Sequence, residues 1–251
     1  MHTKKKRLRL AVRNVRAAER HSSEGVSALS KRRLKFSKLN MAKFISHLDL
    51  MRCFQRAIMR SGLPVEYSQG FNPHQRMTFA LPLPVGVSGE GEFLDISFED
   101  GQVTDEEIKE RINKNLPPDI QVLSVGDLIF KAADIVCAEY TMKLYSGKKI
   151  DKEKIKEFFG KDEVIVMKRN KKKVEKPINI MEYIRAWEVV DETDRTLTLR
   201  LVLDAGGERN LKPEIVAAQI CEESEDMCAD DADICRTKIF CRNGDVLELF
   251  R

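Results

Sequence analysis

The succession of alternating apolar runs, amphipathic stretches and chain breakers predicts an α+β protein built as two tandem ferredoxin-like (βαββαβ) domains. Two observations carry that expectation. The order strand, helix, strand pair, helix, strand can be read over the first half of the chain, and a similar order follows in the second. A length of 251 residues with 42% hydrophobic content is enough to fill one large core or two of ordinary size. The boundaries read as a basic flexible arm over residues 1–30, a first domain over 31–132 and a second over 137–251, with the join between Phe130 and Cys137.

In the first domain, Leu34 to Lys38 reads as a strand and Ser46 to Ser61 as a helix. Ser46 can accept hydrogen bonds from free backbone N–H groups, Asp49 suits the first-turn dipole, and Gly62 followed by Pro64 ends the helix. At about 100° per residue, Leu50, Met51, Phe54, Ala57 and Ile58 share one face, while Arg52, Arg56 and Arg60 stack on the opposite one. Val65 to Ser68 and Met77 to Leu83 read as short extended pieces around a loop, and Phe93 to Phe98 as an alternating strand. A helix opens at Thr104 and closes at Leu116 before Pro117, and Ile120 to Val125 is the last strand of this half.

The second domain reads as strand Tyr140 to Tyr145, helix Asp151 to Phe159 and strand Glu163 to Arg169. A basic turn at Asn170 to Lys173 and a short helix from Pro177 to Tyr183 follow. Strand Thr196 to Leu203, helix Pro213 to Cys221 and strand Thr237 to Phe240 complete the order.

The densest position-specific chemistry lies in Phe44 to Val87. There the Arg-striped helix is followed by Tyr67-Ser-Gln-Gly-Phe-Asn-Pro-His-Gln-Arg76, uncharged except at its last residue and crowded with directional hydrogen-bonding groups. Gly70 permits close backbone approach, Pro73 restricts Asn72 to extended geometry, and His74 and Arg76 then project from a stiffened segment. This suits anion or nucleotide recognition. The plainer account of the arginine stripe is a solvated helix face with Asp49 and Arg52 as a weak i,i+3 pair. Farther on, Asp204, Gly206, Gly207, Glu208, Arg209 and Asn210 run from a strand into the helix that Pro213 starts. Gly206, Gly207 and Asn210 can bind phosphate through backbone N–H groups or mark a tight structural turn. Tyr183 and Trp187 could stack on bases or anchor the core.

The stretch from Arg33 to Ile96, with SHLDLMR joined to GFNPH, resembles the opening of an uncharacterised bacterial family of radical-SAM-associated (radical-SAM-linked) proteins. These occur as separate chains or as a C-terminal module on radical SAM enzymes. The later DAGGERNLKPEIV is similar to that family's second recurrent motif, and the likeness covers nearly everything from Lys31 onward. Gln75 stands where the family commonly has a second proline, and Arg209 where glycine is common. The resemblance implies a stand-alone accessory form, a bacterial source and a radical SAM protein as partner, with no established reaction. The three-cysteine motif of a radical SAM core is absent.

Charge is unevenly spread. The formal net charge is +4. Lys4 to Arg20 and the run Lys168, Arg169, Lys171, Lys172 and Lys173 are basic, and Glu222 to Asp233 is strongly acidic. Such polarity favours an anionic partner, most simply RNA. No apolar stretch approaches the roughly 20 residues of a membrane helix, so a cytoplasmic location with no membrane partner is expected. Residues 1–30 share the Arg-rich composition of an organellar transit peptide, but the resemblance begins near Lys31. The segment therefore reads as a flexible arm or a mis-assigned start.

Cys53, Cys137, Cys221, Cys228, Cys235 and Cys241 form no C-x-x-C knuckle. Cys235, Thr237, Ile239 and Cys241 alternate with Arg236, Lys238, Phe240 and Arg242 as in a strand, which places Cys235 and Cys241 about 20 Å apart. No metal and no cofactor are expected.

Two function classes follow, with a third beside them. One is an RNA-binding accessory module in RNA modification or processing. In it Arg52, Arg56, Arg60 and Arg76 contact phosphate, and Tyr67, Asn72 and His74 read a base or ribose near Asp49. The other is a metal-independent RNA-processing enzyme with His47 or His74 as general acid/base beside an arginine clamp; His47 can equally be a capping or packing residue. A pure protein-interaction subunit using the acidic segment is the third. Tandem ferredoxin-like domains often scaffold RNA-binding proteins, an argument by analogy.

Overall fold

Strand β1 (Ser30–Lys38) opens the computed structural model, which describes residues 30–99, 103–169, 175–223, 231–244 and 246–251. The basic arm, the Asn170–Lys173 turn, Cys228 and most of the acidic segment lie outside the described residues.

The first half continues as α1 (His47–Ser61), β2 (Met77–Phe79), β3 (Val87–Phe98), α2 (Asp105–Asn113) and β4 (Ile120–Gly126). Ser46 caps α1 by accepting from the Asp49 amide at 3.2 Å, and Gly62 ends it in the left-handed region at φ 64°. Arg111 of α2 donates twice to the exposed-end carbonyl of Ser61, at 2.9 and 2.6 Å, so the end of α1 is also tied to α2. Asn113 clasps Val122 through both backbone groups and fixes α2 to β4. Leu34, Phe36, Leu50, Phe54, Ile58, Leu94, Ile96, Ile108 and Ile112 fill the core between helices and sheet. Phe36, Phe54 and Phe79 pack edge to face there.

The second half runs β5 (Ile135–Tyr145), α3 (Lys152–Gly160), β6 (Ile165–Arg169), β7 (Glu175–Asn179), β8 (Ile184–Glu192), β9 (Thr196–Asp204), α4 (Pro213–Glu223), β10 (Asp233–Asn243) and β11 (Val246–Leu249). Ala138, Tyr140, Met142, Leu144, Leu199, Leu201 and Leu203 meet Phe158, Val216 and Ile220 in the larger core.

Among the described residues, nine strands make one mostly antiparallel sheet, and β6 and β7 form a separate two-stranded ribbon. The order is β4-β1-β3-β10-β5-β9-β8, with β2 also on β3 and β11 also on β10. Each half therefore contributes its own run, β4-β1-β3-β2 and β10-β5-β9-β8. The halves join where β3 and β10 lie parallel over Val87–Gly89 and Ile234–Arg236.

Three expectations from sequence change. The helix expected over Pro177 to Tyr183 is instead β7 followed by a 3-10 turn at Ile180–Tyr183, because Pro177 and the β-branched Ile178 sit in a ribbon with β6. Glu163 to Arg169 is accordingly a ribbon strand, and β8, which the pattern did not reveal, takes its place in the main sheet. The uninterrupted alternation expected from Cys235 to Cys241 is broken by a bulge between Arg236 and Lys238. Cys235 opposes Thr141 while Ile239 opposes Ala138, so the two face opposite sides.

That bulge turns Arg236 inward. Lys38, Gly89, Arg236 and Tyr140 stand in register across four strands and share one face. Arg236 and Glu92 are both about 2% exposed and form a two-pronged ion pair, and Arg236 also donates to the Leu81 carbonyl. Gly89 makes room for it, since a Cβ there would sit 2.5 Å from the Glu92 carboxylate. Burial opposes the charge on Arg236, but Glu92 and Tyr140 hold its pKa above the usual value. Lys38 donates to the carbonyls of Lys43 and Ile45, and burial lowers its pKa against the pull of Glu92. Arg33, also buried, grips Asp95 at 2.6 and 2.8 Å and donates to the carbonyls of Phe130 and Arg251, joining β1, β3, the inter-half link and the last strand's continuation.

Candidate nucleic-acid interface on α1 and the 66–76 loop

The loop after α1 is a folded lobe. The Glu66 amide donates to Ser97, the Arg76 amide to Glu66 and the Ser68 amide to His74, while Tyr67 and Gln75 form an isolated bridge. Its tip, residues 69–74, is exposed throughout, with Phe71 completely so. Gln75 is buried and donates through Nε2 to the Gln55 carbonyl of α1 at 3.3 Å and to the Tyr67 hydroxyl at 3.4 Å. The Gln75 side chain thus anchors the lobe on the helix. Nothing in the sequence sets Gln75 apart from Gln69 and Asn72 as the amide that turns inward.

Gln55 lies three residues after Arg52, so the lobe is tied to the same helix at the level of the arginine stripe. Arg52 and Arg56 are exposed; Arg52 reaches Asp49 at 3.3 Å, and among the described residues Arg56 donates only to the Arg52 carbonyl, at 3.4 Å. The Ser46 hydroxyl, 2.7 Å from Asp49, followed by Arg52, keeps that carboxylate below its usual pKa. Arg60 points elsewhere, donating to the Asn115 carbonyl at 2.8 Å behind α2. Arg76 pairs with Glu66 at 3.1 Å and remains half exposed.

The two histidines differ in setting. His47 packs edge-on against Phe79 at 5.1 Å, and its Nδ1 is buried without a hydrogen-bond partner among the described residues. His74 is exposed, with Nδ1 2.8 Å from the Ser68 hydroxyl and 3.4 Å from the Asn72 carbonyl. The Ser68 oxygen also accepts from the His74 amide at 3.1 Å, so its hydroxyl and the Nδ1 atom of His74 form a local clasp at the base of the tip.

The second motif makes a different arrangement. Gly206 adopts φ 147°, and a Cβ there would collide with the Ile135 carbonyl, so this glycine is required by the turn's approach to β5. Gly207 and Asn210 are exposed; the Asn210 carbonyl accepts from Lys168 at 2.5 Å. Arg209 folds back, pairing with buried Asp204 at 2.8 Å, donating to the Glu182 carbonyl and lying 4.3 Å over the Tyr183 ring. Arg185 pairs with the other Asp204 oxygen. Trp187 stacks on Phe159 at 4.3 Å. This motif and the α1 surface belong to different halves of the sheet and are not brought together by any contact described.

Cys235 and Cys241 share β10. Burial, then Glu90, pushes the Cys235 thiol up to about 12, and burial raises Cys137 and Cys241 to about 11. No cluster of three metal-ligating side chains occurs among the described residues. No described helix is long and apolar enough to cross a membrane.

With this geometry in view, the chain belongs to a family of uncharacterized proteins conserved in bacteria (DUF2344), whose pattern matches residues 31–213. No curated protein matches it. Similar solved structures include a Cbf5–Nop10–Gar1 complex, at 12% identity and a TM-score of 0.44 over 86% of this chain and 52% of that one. Others are an H/ACA ribonucleoprotein bound to a substrate RNA containing 2′-deoxyuridine, at 12% identity and TM-score 0.42, and an archaeal box H/ACA Nop10–Cbf5 complex, at 11% and 0.42. Each of these two matches covers 86% of this chain and 51% of the other. The chain thus spans about half the length of the structures it matches.

Proposed function

We propose that this protein is an RNA-binding accessory module that works with a radical SAM protein in RNA modification or processing. The observation that carries the RNA half of this reading is the Gln75 strut to Gln55, which ties the lobe to the helix that bears Arg52 and Arg56. Arg52 and Arg56 then lie beside a lobe whose tip offers Asn72 and His74 to solvent. Exposed guanidinium groups with weak or no carboxylate partners can exchange them for phosphate at little cost, whereas Arg60 is already engaged. The radical SAM partner rests on the resemblance of the SHLDLMR and GFNPH stretches alone. A reading of each half as a ferredoxin-like unit is supported by the antiparallel orders β4-β1-β3-β2 and β10-β5-β9-β8, with the β6–β7 ribbon as an insertion.

One observation favours an enzymatic variant of this reading. His74 is exposed at the tip with Nδ1 2.8 Å from the Ser68 hydroxyl, a setting open to a general acid or base. Mass spectrometry of RNA and protein co-purified with the chain at low and high salt separates the alternatives. RNA retained at low salt and released at high salt is the expected result; protein alone at both would favour an interaction subunit.

A further inference from the structure

The parallel pairing that joins the two halves is short, and its end opens a concavity. Register between β3 and β10 stops at Gly89 and Arg236. Beyond it β3 turns toward β1 and β2, while β10 goes on to pair with β11. The fork encloses a cleft of about 510 Å³ whose walls include Phe93, Ile129, Ile239, Leu249 and Phe250, with the Lys35 ammonium on its β1 side. A cleft of this size with apolar lining and a few polar groups is in the range that holds small ligands.

The charges around the cleft are not equivalent. Arg33 is consumed by Asp95 and two carbonyls, Lys238 by Glu139 at 2.9 Å, and Asp127 by Arg32 at 2.6 Å. Lys35 has no hydrogen-bond or ion-pair partner among the described residues. It is exposed, and Gly91 makes way for it, since a Cβ there would lie 2.9 Å from the lysine Cε. The Arg251 guanidinium, which also lines the cleft, likewise has no hydrogen-bond or ion-pair partner among the described residues. A cleft with apolar walls and unspent cations calls for a ligand with an apolar body and an anionic group.

We propose that the fork cleft takes a single unstacked nucleotide, with the base between the apolar walls and the phosphate on Lys35. This deepens the RNA-binding reading and rests on it for the choice of nucleotide over other amphipathic anions. It adds a second contact point, in the seam between the halves, to the α1 surface.

The test is titration of the isotope-labelled full chain with uridine 5′-monophosphate, ribose 5-phosphate and inorganic phosphate, followed by amide chemical shifts. Saturable shifts of residues 123–129, 237–239 and 248–250 with the nucleotide, much weaker with the two phosphates, are expected. Lys35→Ala should weaken the nucleotide about tenfold, the loss for one charge-assisted contact. Gly126→Phe, at a position with open space around its Cβ, should block the cleft. Absence of saturable shifts at those amides, equal shifts with inorganic phosphate, or unaltered binding in both variants overturns the cleft proposal. Arg52→Ala and Arg56→Ala leave the cleft untouched, so their effect on RNA affinity reports on the α1 surface while the nucleotide shifts report on the cleft, and either reading can fail alone.

Discussion

Buried charge is where single residues matter most in this molecule. Arg236 and Glu92 are desolvated together, so removing one leaves the other uncompensated. Arg236→Met should cost about 3–5 kcal/mol in denaturant unfolding, and adding Glu92→Leu should recover much of it. Lys38 has a folded pKa below its ordinary 10.5, so between those values the unfolded chain binds more protons and stability rises with pH. The stability of the parent relative to Lys38→Met should therefore climb as pH approaches 10.5 and level off above it. A difference that falls with pH would contradict the desolvation assignment. The cysteines make a parallel case. With Cys235 pushed up to about 12 and Cys137 and Cys241 to about 11, the reactive thiolate is scarce. Iodoacetamide at about pH 8 should label them far more slowly in the native state than after unfolding.

At the scale of elements, what sequence revealed followed from strong local signals. Ser46 and Thr104 cap the helices they were expected to open, and Asp151, read as the first residue of its helix, proves to be the cap, because capping chemistry acts within three residues. The apolar face of α1 was legible for the same reason. The β7 and β8 region was not: Pro177 and Asn179 resemble a helix start, and only pairing with β6, fixed by contacts remote from the segment, decides otherwise. Arg236 reads as an outward residue until the bulge at Thr237 resets the alternation. The stripe of Arg52 and Arg56 was visible, but the diversion of Arg60 to Asn115 depends on where α2 ends. Nor could the Gln75 strut be seen without the fold. Gln75→Ala should destabilise by about 1 kcal/mol and speed amide exchange through residues 66–76. Unchanged protection of the Ser68 amide would show that the lobe holds itself.

Across the whole molecule, the sheet makes the two halves one body. β3 and β10 share few register partners, yet Arg236–Glu92, the Arg33 cluster and Lys43–Asp233 at 2.9 Å all cross the same seam. Hydrogen exchange should therefore find the central amides of β1 and β9 opening with similar free energies. Well-separated values would mean that each half unfolds alone.

The central claim is that the arginines of α1 beside the anchored lobe bind RNA phosphate, and a salt series of binding constants tests it most directly. For single-stranded RNA, Arg52→Ala and Arg56→Ala should each weaken binding and lower the salt slope by roughly one counterion, while stability changes by less than about 0.5 kcal/mol. His74→Ala should alter discrimination among RNAs more than overall affinity. A parent protein that binds no RNA, or slopes that stay the same in both arginine variants, would contradict the account.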